Sequence, residues 1–208
     1  MILPRLYAIV DAEMLAGRGV SLTEFARELR AAGVGLIQYR DKVGSPQEVL
    51  RAAAVLHETM AGSGCRLVMN DRADLAVLAG FDGAHVGQGD LLPEDARRAL
   101  GAGGIVGVST HTDEQVRAAE LSGANYIAIG PVFATGTKAD AEAVVGLEGV
   151  RRARELTGKP LVAIGGITRE NAHSVVEAGA DSVAVISALF APGETVEQVA
   201  RDFLARLR

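Results

Sequence analysis

The chain has 208 residues, 49% of them hydrophobic, and carries a formal net charge of −5 at pH 7. This acidic balance argues against a general nucleic-acid or membrane surface, so any basic residues that bind anions must act locally. The single cysteine, Cys65, cannot form an internal disulfide, which fits a reducing cytoplasm as the expected location.

Short β-branched runs alternate along the chain with Ala-, Glu- and Arg-rich stretches of helical spacing. The β-branched runs predict strands at 6–10, 36–40, 66–70, 83–86, 105–109, 126–132, 161–165 and 182–187. The other stretches predict helices near 21–33, 46–62, 73–80, 93–101, 113–123, 146–158, 169–179 and 195–207. These βα units follow one another without a break in composition. They predict the α/β class and a single TIM (β/α)8 barrel over residues 1–208.

The main rival to the barrel is an open, doubly wound sheet. That fold would carry a glycine-rich nucleotide fingerprint after its first strand, where this chain has Asp11-Ala12-Glu13 instead. Polar residues mark the starts of several predicted helices, and glycines mark several ends. The expected N-terminal caps are Ser21, Ser45, Asp113 and Thr168.

In a TIM barrel the active site lies at the C-terminal ends of the strands. The second predicted strand runs into Gln38-Tyr39-Arg40-Asp41-Lys42. Alternation sends Gln38, Arg40 and Lys42 to one side and the other two side chains to the opposite side. Basic groups on the inward side are costly to bury alone. They therefore indicate either a bound di- or triphosphate or structural ion pairs with inward acidic residues.

Lone acidic residues follow two neighbouring strands. Asp71 comes directly after Asn70 at the end of the third strand, and Asp90 follows the fourth strand. Mg²⁺ suits a few carboxylates completed by substrate phosphate oxygens. The alternative is that Asn70 and Asp71 cap the next helix, since both residue types do so routinely. The second carboxylate favours the metal, and the pair predicts an enzyme that handles a phosphorylated or pyrophosphorylated substrate.

The fifth strand ends at Ser109, whose hydroxyl we expect at the barrel mouth as a hydrogen-bond donor. His111, two residues further on, is a candidate general acid–base, or else it contacts a carboxylate or caps the next helix. His85, inside the fourth strand, is expected to be a core histidine with satisfied hydrogen bonds.

Two later segments predict phosphate binding. After the sixth strand, residues 135–138 offer two threonine hydroxyls, a glycine and a lysine, which suits closure over a phosphate but is also what a solvated loop contains. After the seventh and eighth strands come Gly166 and Ser187. Many barrels hold a phosphate at this place, against backbone N–H groups and a short extra helix.

Jointly, these segments resemble the thiamine-phosphate synthase (thiamine-phosphate pyrophosphorylase) family. Each segment is weak alone, but together they follow the family's order and spacing and cover nearly the whole chain. One departure is Ala134, where family members often have proline. The matching segments are 37–42, 70–72, 87–90, 107–112, 130–133, 135–138, 163–167 and 185–187.

The resemblance implies a transferase of an alkyl or aryl group. It would condense 4-amino-5-hydroxymethyl-2-methylpyrimidine pyrophosphate with a thiazole phosphate, or its carboxylated form, to give thiamine phosphate and pyrophosphate. Pyrophosphate departs from a benzylic-type carbon with help from Mg²⁺, and the thiazole nitrogen attacks the resulting cation. Such chemistry needs no protein nucleophile, so the lack of an obvious Ser-His-Asp or Cys-His arrangement is no objection. The expected partners are these two small molecules, without nucleic acid or membrane, and a homodimer is one assembly open to such a barrel.

The resemblance also assigns residues. Those matching the pyrimidine pyrophosphate site are Gln38, Arg40, Lys42, Asn70, Ser109 and Lys138. Those matching the Mg²⁺ site are Asp71 and Asp90. Those matching the thiazole phosphate site are Thr135, Thr137, Gly166, Ile186 and Ser187. Tyr39, Asp41 and Gly136 lie inside matching segments and are counted with the binding residues. The expected catalytic groups are Arg40, Lys42, Ser109 and Lys138.

Other functions stay open at this point. A thiazole tautomerase shares the barrel, but the resemblance gives that enzyme a histidine where this chain has Pro131, and Asp71 is an acid that it tends to lose. A non-enzymatic sensor of a phosphorylated ligand would not need both carboxylates and the basic cluster. A sugar-phosphate isomerase would need a general base at a strand end, for which His111 is the candidate.

Overall fold

The computed structural model describes residues 1–135 and 143–207. Gly136, Thr137 and Lys138, which the sequence analysis assigns to the phosphate sites, lie outside the described residues.

Parallel strands form one closed barrel in chain order, and the eighth strand pairs with the first, with Ala8 opposite Val185. The predicted TIM barrel is confirmed, and the open sheet is excluded by this closure. Most strand residues are buried, as expected for strands covered on both faces. The strands are β1 Leu6–Asp11, β2 Leu36–Arg40, β3 Arg66–Asn70, β4 Gly83–Val86, β5 Ile105–Thr110, β6 Tyr126–Ile129, β7 Leu161–Ile164 and β8 Ser182–Val185.

Helices surround the barrel, and among the described residues none is long and apolar enough to cross a lipid bilayer. Only the first described helix has no counterpart in the prediction. Leu15 is its one buried residue, so no apolar stripe marks it in the sequence. The helices are α1 Ala12–Arg18, α2 Leu22–Ala32, α3 Pro46–Met60, α4 Ala73–Ala79, α5 Pro93–Leu100, α6 Asp113–Leu121, α7 Gly146–Leu156, α8 Ala172–Glu177 and α9 Val196–Arg206, with a 3-10 helix at Ser187–Leu189.

The last three strands are shorter than predicted, and each ends where the backbone turns towards the barrel mouth. β6 ends at Ile129, next to a cis peptide bond between Gly130 and Pro131. β7 ends before Gly165 and Gly166, whose φ values of 101° and 64° lie in the left-handed region. β8 ends two residues before the 3-10 helix begins. The apolar pattern continues past these points, which is why the sequence predicts longer strands.

Helix caps agree with the prediction at two of the four positions. The Ser21 and Ser45 side chains accept hydrogen bonds from backbone N–H groups at the starts of α2 and α3. The cap of α6 is Thr112 rather than Asp113, which instead places its charge in the first turn, where the helix dipole favours it. Thr168 lies in a turn before α8 and is not its cap.

Two apolar cores fill the fold, one inside the barrel and one between the strands and the helices. The inner core contains two fully buried tyrosines, Tyr7 and Tyr126, whose hydroxyls need hydrogen-bond partners in apolar surroundings. The buried side chains of the inner core are Leu3, Tyr7, Ile9, Leu36, Val68, Ile105, Tyr126, Ala128, Val162, Ala184 and Ile186.

We expect Leu29→Ala to lower the free energy of unfolding by about 2–5 kcal/mol, because Leu29 is fully buried in α2 within the outer core and its truncation leaves a cavity. Urea unfolding followed by circular dichroism measures the loss. The matched control is Leu121→Ala on α6, whose side chain is 90% exposed and which should change stability by less than about 0.5 kcal/mol. Equal losses in the two variants would contradict this layering of the fold.

Candidate active site

Two adjoining cavities open at the C-terminal ends of the strands. The larger, of about 750 Å³, is lined by residues of all eight strands and has its charged side chains on the β1 to β4 side, and the smaller, of about 320 Å³, lies among the ends of β5 to β8. The two spaces meet, because they share part of their lining. The shared residues are Ser109, His111, Ala128, Ile164, Ala184 and Ile186.

The side chains of β2 alternate as predicted. Gln38, Arg40 and Lys42 line the larger cavity. Tyr39 is instead buried in the outer core, and its hydroxyl donates a hydrogen bond of 3.2 Å to Asp41 Oδ2. The Asp41 carboxylate accepts backbone N–H groups of the following turn. Tyr39 and Asp41 thus line neither of the two cavities, and their assignment as binding residues stays a prediction.

Both basic groups of the larger cavity contact acidic partners. Arg40 contacts the carboxylate of Asp11, and Lys42 contacts the carboxylate of Asp71. The structural ion pairs that the sequence left as an alternative are thus present, and they do not prevent either cation from lining the cavity. Asp11 is a site residue that was not expected from the sequence. The available signal was its position at the end of the first strand.

Asp71 has an unusual backbone conformation for a residue with a side chain. Its φ of 60° lies in the left-handed region, which aspartate tolerates better than most residues. Its backbone N–H donates a hydrogen bond of 2.7 Å to the carbonyl of His85 on β4, which holds this conformation. Such outliers concentrate at functional sites. Here the conformation directs the carboxylate towards Lys42 and Asp90.

The carboxyl groups of Asp71 and Asp90 lie within hydrogen-bonding reach of each other. Burial raises the pKa of Asp71, and the neighbouring Asp90 raises that pKa further, while Lys42 opposes both effects. One oxygen of Asp90 also accepts the Gly87 N–H at 2.7 Å, which fixes the carboxyl over the turn after β4. Two adjacent acidic groups at a cavity are unfavourable alone and favour a bound cation.

The chemistry of this corner fits Mg²⁺ with a phosphorylated ligand. Among the described residues there is no group of three or more His, Cys, Asp or Glu side chains that could hold a metal by itself. Two carboxylates leave most coordination positions to substrate oxygens and water, which is the usual pattern for Mg²⁺. Asn70 Nδ2, beside them, is buried and has no hydrogen-bond partner in the described part of the chain. A phosphate oxygen would satisfy this donor.

His85 has satisfied hydrogen bonds, as predicted for a core histidine. Its Nδ1 lies 3.0 Å from Tyr126 Oη, and its Nε2 lies 2.8 Å from Ser109 Oγ. His85 also lines the larger cavity and contacts Ser109, the expected catalytic serine, neither of which was expected from the sequence. A Ser–His contact of this length also suits a nucleophile with its base. The imidazole proton decides between these roles: on Nε2 it makes His85 a hydrogen-bond donor to Ser109, and on Nδ1 it leaves Nε2 free to act as the base of Ser109.

His111 lines both cavities, and its ring is held by the backbone. Its Nδ1 lies 2.6 Å from the carbonyl oxygen of Gly130. A carbonyl only accepts, so Nδ1 carries the proton in this contact. The ring partner is thus a backbone carbonyl and not the carboxylate that the sequence analysis offered as an alternative.

The smaller cavity has an almost uncharged lining. Thr135, Gly166, Ile186 and Ser187 all line it, and its described lining contains no Asp, Glu, Lys or Arg. Such a lining suits a phosphate held by backbone N–H groups and hydroxyls.

Gly166 is required by the neighbouring loop as well as by any ligand. A Cβ at this position would lie 2.7 Å from Ala134 O and 2.7 Å from Phe133 Cβ. The Phe133 N–H donates a hydrogen bond of 2.9 Å to Gly165 O, so the segment after β6 packs tightly on the segment after β7. The requirement of the neighbouring loop for Gly166 was not expected from the sequence, which indicates only a phosphate at this place.

A model of the thiamine monophosphate synthase family matches residues 6–189. The chain belongs to this family. A thiamine-phosphate synthase from Koribacter versatilis is 54% identical over 189 residues, which cover 90% of this chain and 89% of the relative. Another from Methanoregula boonei is 41% identical over 202 residues, which cover 97% and 92%. A solved thiamine phosphate pyrophosphorylase from Pyrococcus furiosus has a TM-score of 0.86 at 31% identity, covering 98% of this chain and 95% of that one.

The resemblance inferred from the motifs is confirmed by these relatives. They carry the synthase or pyrophosphorylase name, and they give no support to the tautomerase or the sensor that the sequence left open.

We expect Asp71→Asn to raise the melting temperature at pH 7. The pKa of Asp71 is raised in the folded protein, so ionising this carboxyl costs stability. The cost is absent below the unfolded pKa of about 3.9, builds up as pH rises through the folded pKa, and is complete above it. Scanning calorimetry should therefore show a gain at pH 7 that disappears at pH 3.

The matched control is Asp74→Asn in the next helix. A hydrogen bond from Arg72 lowers the pKa of Asp74, so this substitution should not stabilise the protein at pH 7. A lower melting temperature for Asp71→Asn than for the unsubstituted protein at pH 7 would contradict the electrostatic picture of the site.

Proposed function

We propose that this chain is a thiamine-phosphate synthase. It condenses 4-amino-5-hydroxymethyl-2-methylpyrimidine pyrophosphate with a thiazole phosphate, or its carboxylated form, in the cytoplasm, and it uses Mg²⁺. The membership of the family supports this proposal. That the protein binds neither nucleic acid nor membrane stays a prediction, and so does its assembly as a homodimer.

The observation that carries the proposal is the junction of the two cavities. One offers cations, an amide donor that no described residue satisfies and neighbouring carboxylates, which suit a pyrophosphate with its metal. The other offers an almost uncharged lining, which suits a monophosphate. A reaction that joins two phosphorylated halves needs both kinds of site and needs them to meet.

In this proposal the pyrophosphate lies against Arg40, Lys42 and Asn70. Arg40 is held by its contact with Asp11, so its guanidinium is positioned before the ligand arrives. Asn70 Nδ2 gains the hydrogen bond that the described residues do not provide. When bound between Asp71 and Asp90, Mg²⁺ would neutralise part of the charge that builds up on the departing pyrophosphate.

The thiazole phosphate lies in the smaller cavity, near Thr135, Gly166, Ile186 and Ser187. Its ring then faces the pyrimidine across the shared residues, which include small apolar side chains such as Ala128 and Ala184. These side chains exclude water from the carbon that becomes cationic and leave room for the two rings to approach. Alignment and charge neutralisation are sufficient for this reaction, and no covalent intermediate with the protein is required.

The deciding experiment supplies both substrates with and without Mg²⁺ and follows thiamine phosphate by chromatography. We expect product only when the metal and both substrates are present. A tautomerase would convert the thiazole alone, and a sensor would bind ligands without turnover. Failure of the purified protein to form any thiamine phosphate under these conditions would refute the proposed function.

We expect Asp71→Ala to remove most of the effect of Mg²⁺ on pyrimidine pyrophosphate binding, because one of two carboxylate ligands is lost. Calorimetric titration with and without Mg²⁺ should show affinity in the presence of the metal reduced at least about tenfold, within the 10–100-fold range typical of weakened metal sites. The control is Asp74→Ala, which removes an exposed carboxylate paired with Arg72 and should leave the titration unchanged.

We expect Lys138→Ala to reduce kcat by about 10²-fold, the loss typical when one group that stabilises transition-state charge is removed. The thiazole phosphate KM should stay within about threefold, because the resemblance assigns Lys138 to the pyrophosphate. Steady-state kinetics with each substrate varied in turn separates the two effects. A raised thiazole KM with normal kcat would assign the lysine to the other substrate.

A further inference from the structure

Five polar side chains form one continuous chain of hydrogen bonds through the barrel interior. Gln38 Nε2 donates to Tyr7 Oη at 2.9 Å, and Tyr7 Oη lies 2.9 Å from Tyr126 Oη. Tyr126 Oη lies 3.0 Å from His85 Nδ1, and His85 Nε2 lies 2.8 Å from Ser109 Oγ. The residues come from β2, β1, β6, β4 and β5 in that order, so the chain crosses from one side of the barrel to the other.

A glycine makes the central contact of this chain possible. A Cβ at Gly107 would lie 2.1 Å from Tyr126 Cζ and 2.5 Å from His85 Nδ1. The Tyr126 and His85 rings are stacked, with centroids 5.5 Å apart and an interplanar angle of 25°. Any larger residue at position 107 would push the two rings apart, so the backbone of β5 is shaped around this hydrogen bond.

The buried protons of these five side chains all find an acceptor when the donors point in one direction, away from Gln38. The amide nitrogen Gln38 Nε2 can only donate, so Tyr7 Oη accepts from it. The buried Tyr7 proton still needs an acceptor, and the other hydrogen-bond partner of Tyr7 among the described residues is Tyr126 Oη, so we infer that Tyr7 donates to Tyr126. Tyr126 then gives its proton to His85 Nδ1. Burial raises the pKa of both phenols, so both keep their protons at neutral pH. A neutral His85 that accepts at Nδ1 carries its proton on Nε2 and donates to Ser109.

The two ends of the chain are left with opposite hydrogen-bonding character at the larger cavity. Gln38 uses its amide nitrogen within the chain, and its oxygen accepts no hydrogen bond from the described residues. Ser109 receives a hydrogen bond from His85, which leaves its own proton to donate. Both residues line the cavity in which the proposed function places the pyrimidine.

We propose that Tyr7, Tyr126 and His85 are positioning residues that fix Gln38 as an acceptor and Ser109 as a donor, and thereby select a ring bearing an amino group beside a ring nitrogen. A 4-aminopyrimidine has this pattern, with an N–H donor next to a nitrogen acceptor. A 4-oxopyrimidine reverses it, so acceptor would face acceptor and donor would face donor. The selectivity rests on the proposed function, whereas the direction of the chain does not.

The same direction excludes His85 as a base for Ser109. A base must accept the serine proton at Nε2, and in this chain Nε2 already carries a proton. The Ser109–His85 contact then orients a donor and does not activate a nucleophile. The opposite tautomer, with the proton on Nδ1, would allow the nucleophile role, so the tautomer distinguishes the two functions of the pair.

The first experiment measures the tautomer of His85 in the full-length protein. Protein labelled with ¹⁵N-histidine is examined by long-range ¹H–¹⁵N correlation at pH 7.5, and the His85 signals are assigned by their loss in His85→Gln. We expect a protonated Nε2 and an unprotonated Nδ1. A proton on Nδ1 would reverse the direction of the chain and overturn the proposal. This measurement needs no substrate and no variant beyond the assignment.

The second experiment breaks the chain at its centre with Tyr126→Phe, which keeps the ring and removes the hydroxyl. The dissociation constants of the 4-amino and 4-oxo pyrimidine pyrophosphates, measured by calorimetric titration without the thiazole phosphate, are then compared. We expect the preference for the 4-amino compound to decrease about tenfold, which is the typical effect of losing one hydrogen bond and leaving its partner unpaired. We also expect the His85 signals to show a mixture of the two tautomers. Binding of the 4-amino pyrimidine pyrophosphate should weaken in this variant, and the KM for the thiazole phosphate should not change.

The control is Ser182→Ala, which removes another fully buried hydroxyl at the opposite end of the barrel, bonded to Arg5 O at 3.4 Å. It should preserve both the tautomer and the preference. An unchanged preference in Tyr126→Phe, or an equal loss in Ser182→Ala, would overturn the positioning role. Failure of the unsubstituted protein to make thiamine phosphate would refute the proposed function alone, because the tautomer is measured independently of activity.

Discussion

The pairing of β8 with β1 is the constraint on which the rest of this structure depends. In a closed barrel each strand side chain points either into the interior or towards the outer core, and the C-terminal ends of all strands lie at one rim. Residues of strands that are not neighbours, such as Tyr7 on β1 and Tyr126 on β6, meet in the interior only because the ring is complete. The two adjoining cavities are a consequence of the same closure, since each collects the ends of neighbouring strands.

The interior of this barrel is less uniform than an apolar core. Hydroxyl, amide and imidazole groups cross it, and polar groups of this kind are costly to bury unless each has a partner. The chain from Gln38 to Ser109 meets that requirement through bonds of 2.8–3.0 Å. A satisfied buried network of this kind rigidifies the residues in it. The apolar side chains of the interior therefore stabilise the packing of the strands, whereas the hydrogen-bonded side chains fix one another's orientations.

Much of this arrangement follows from local sequence pattern. The alternation at Gln38, Arg40 and Lys42 is a period of two, and the position of Asp71 after an apolar run marks a strand end. What the sequence could not provide was register between strands. Asp11 lies opposite Arg40 only through the pairing of β1 with β2, and nothing local to either residue shows it. The same holds for Tyr7 and Tyr126, which are 119 residues apart, and for Gly166, whose lack of a side chain is required by a different loop.

The ion pairs of the larger cavity have a further consequence, which concerns ligand valence. Arg40 and Lys42 each contact a carboxylate, so the charge of each cation is already partly neutralised before an anion arrives. A small monoanion could reach only one of these cations and would gain little from a charge that is shared. A ligand with two linked phosphoryl groups can engage both cations at once and bring its own metal to Asp71 and Asp90. The two ion pairs therefore favour a diphosphate over a simple monoanion in this cavity.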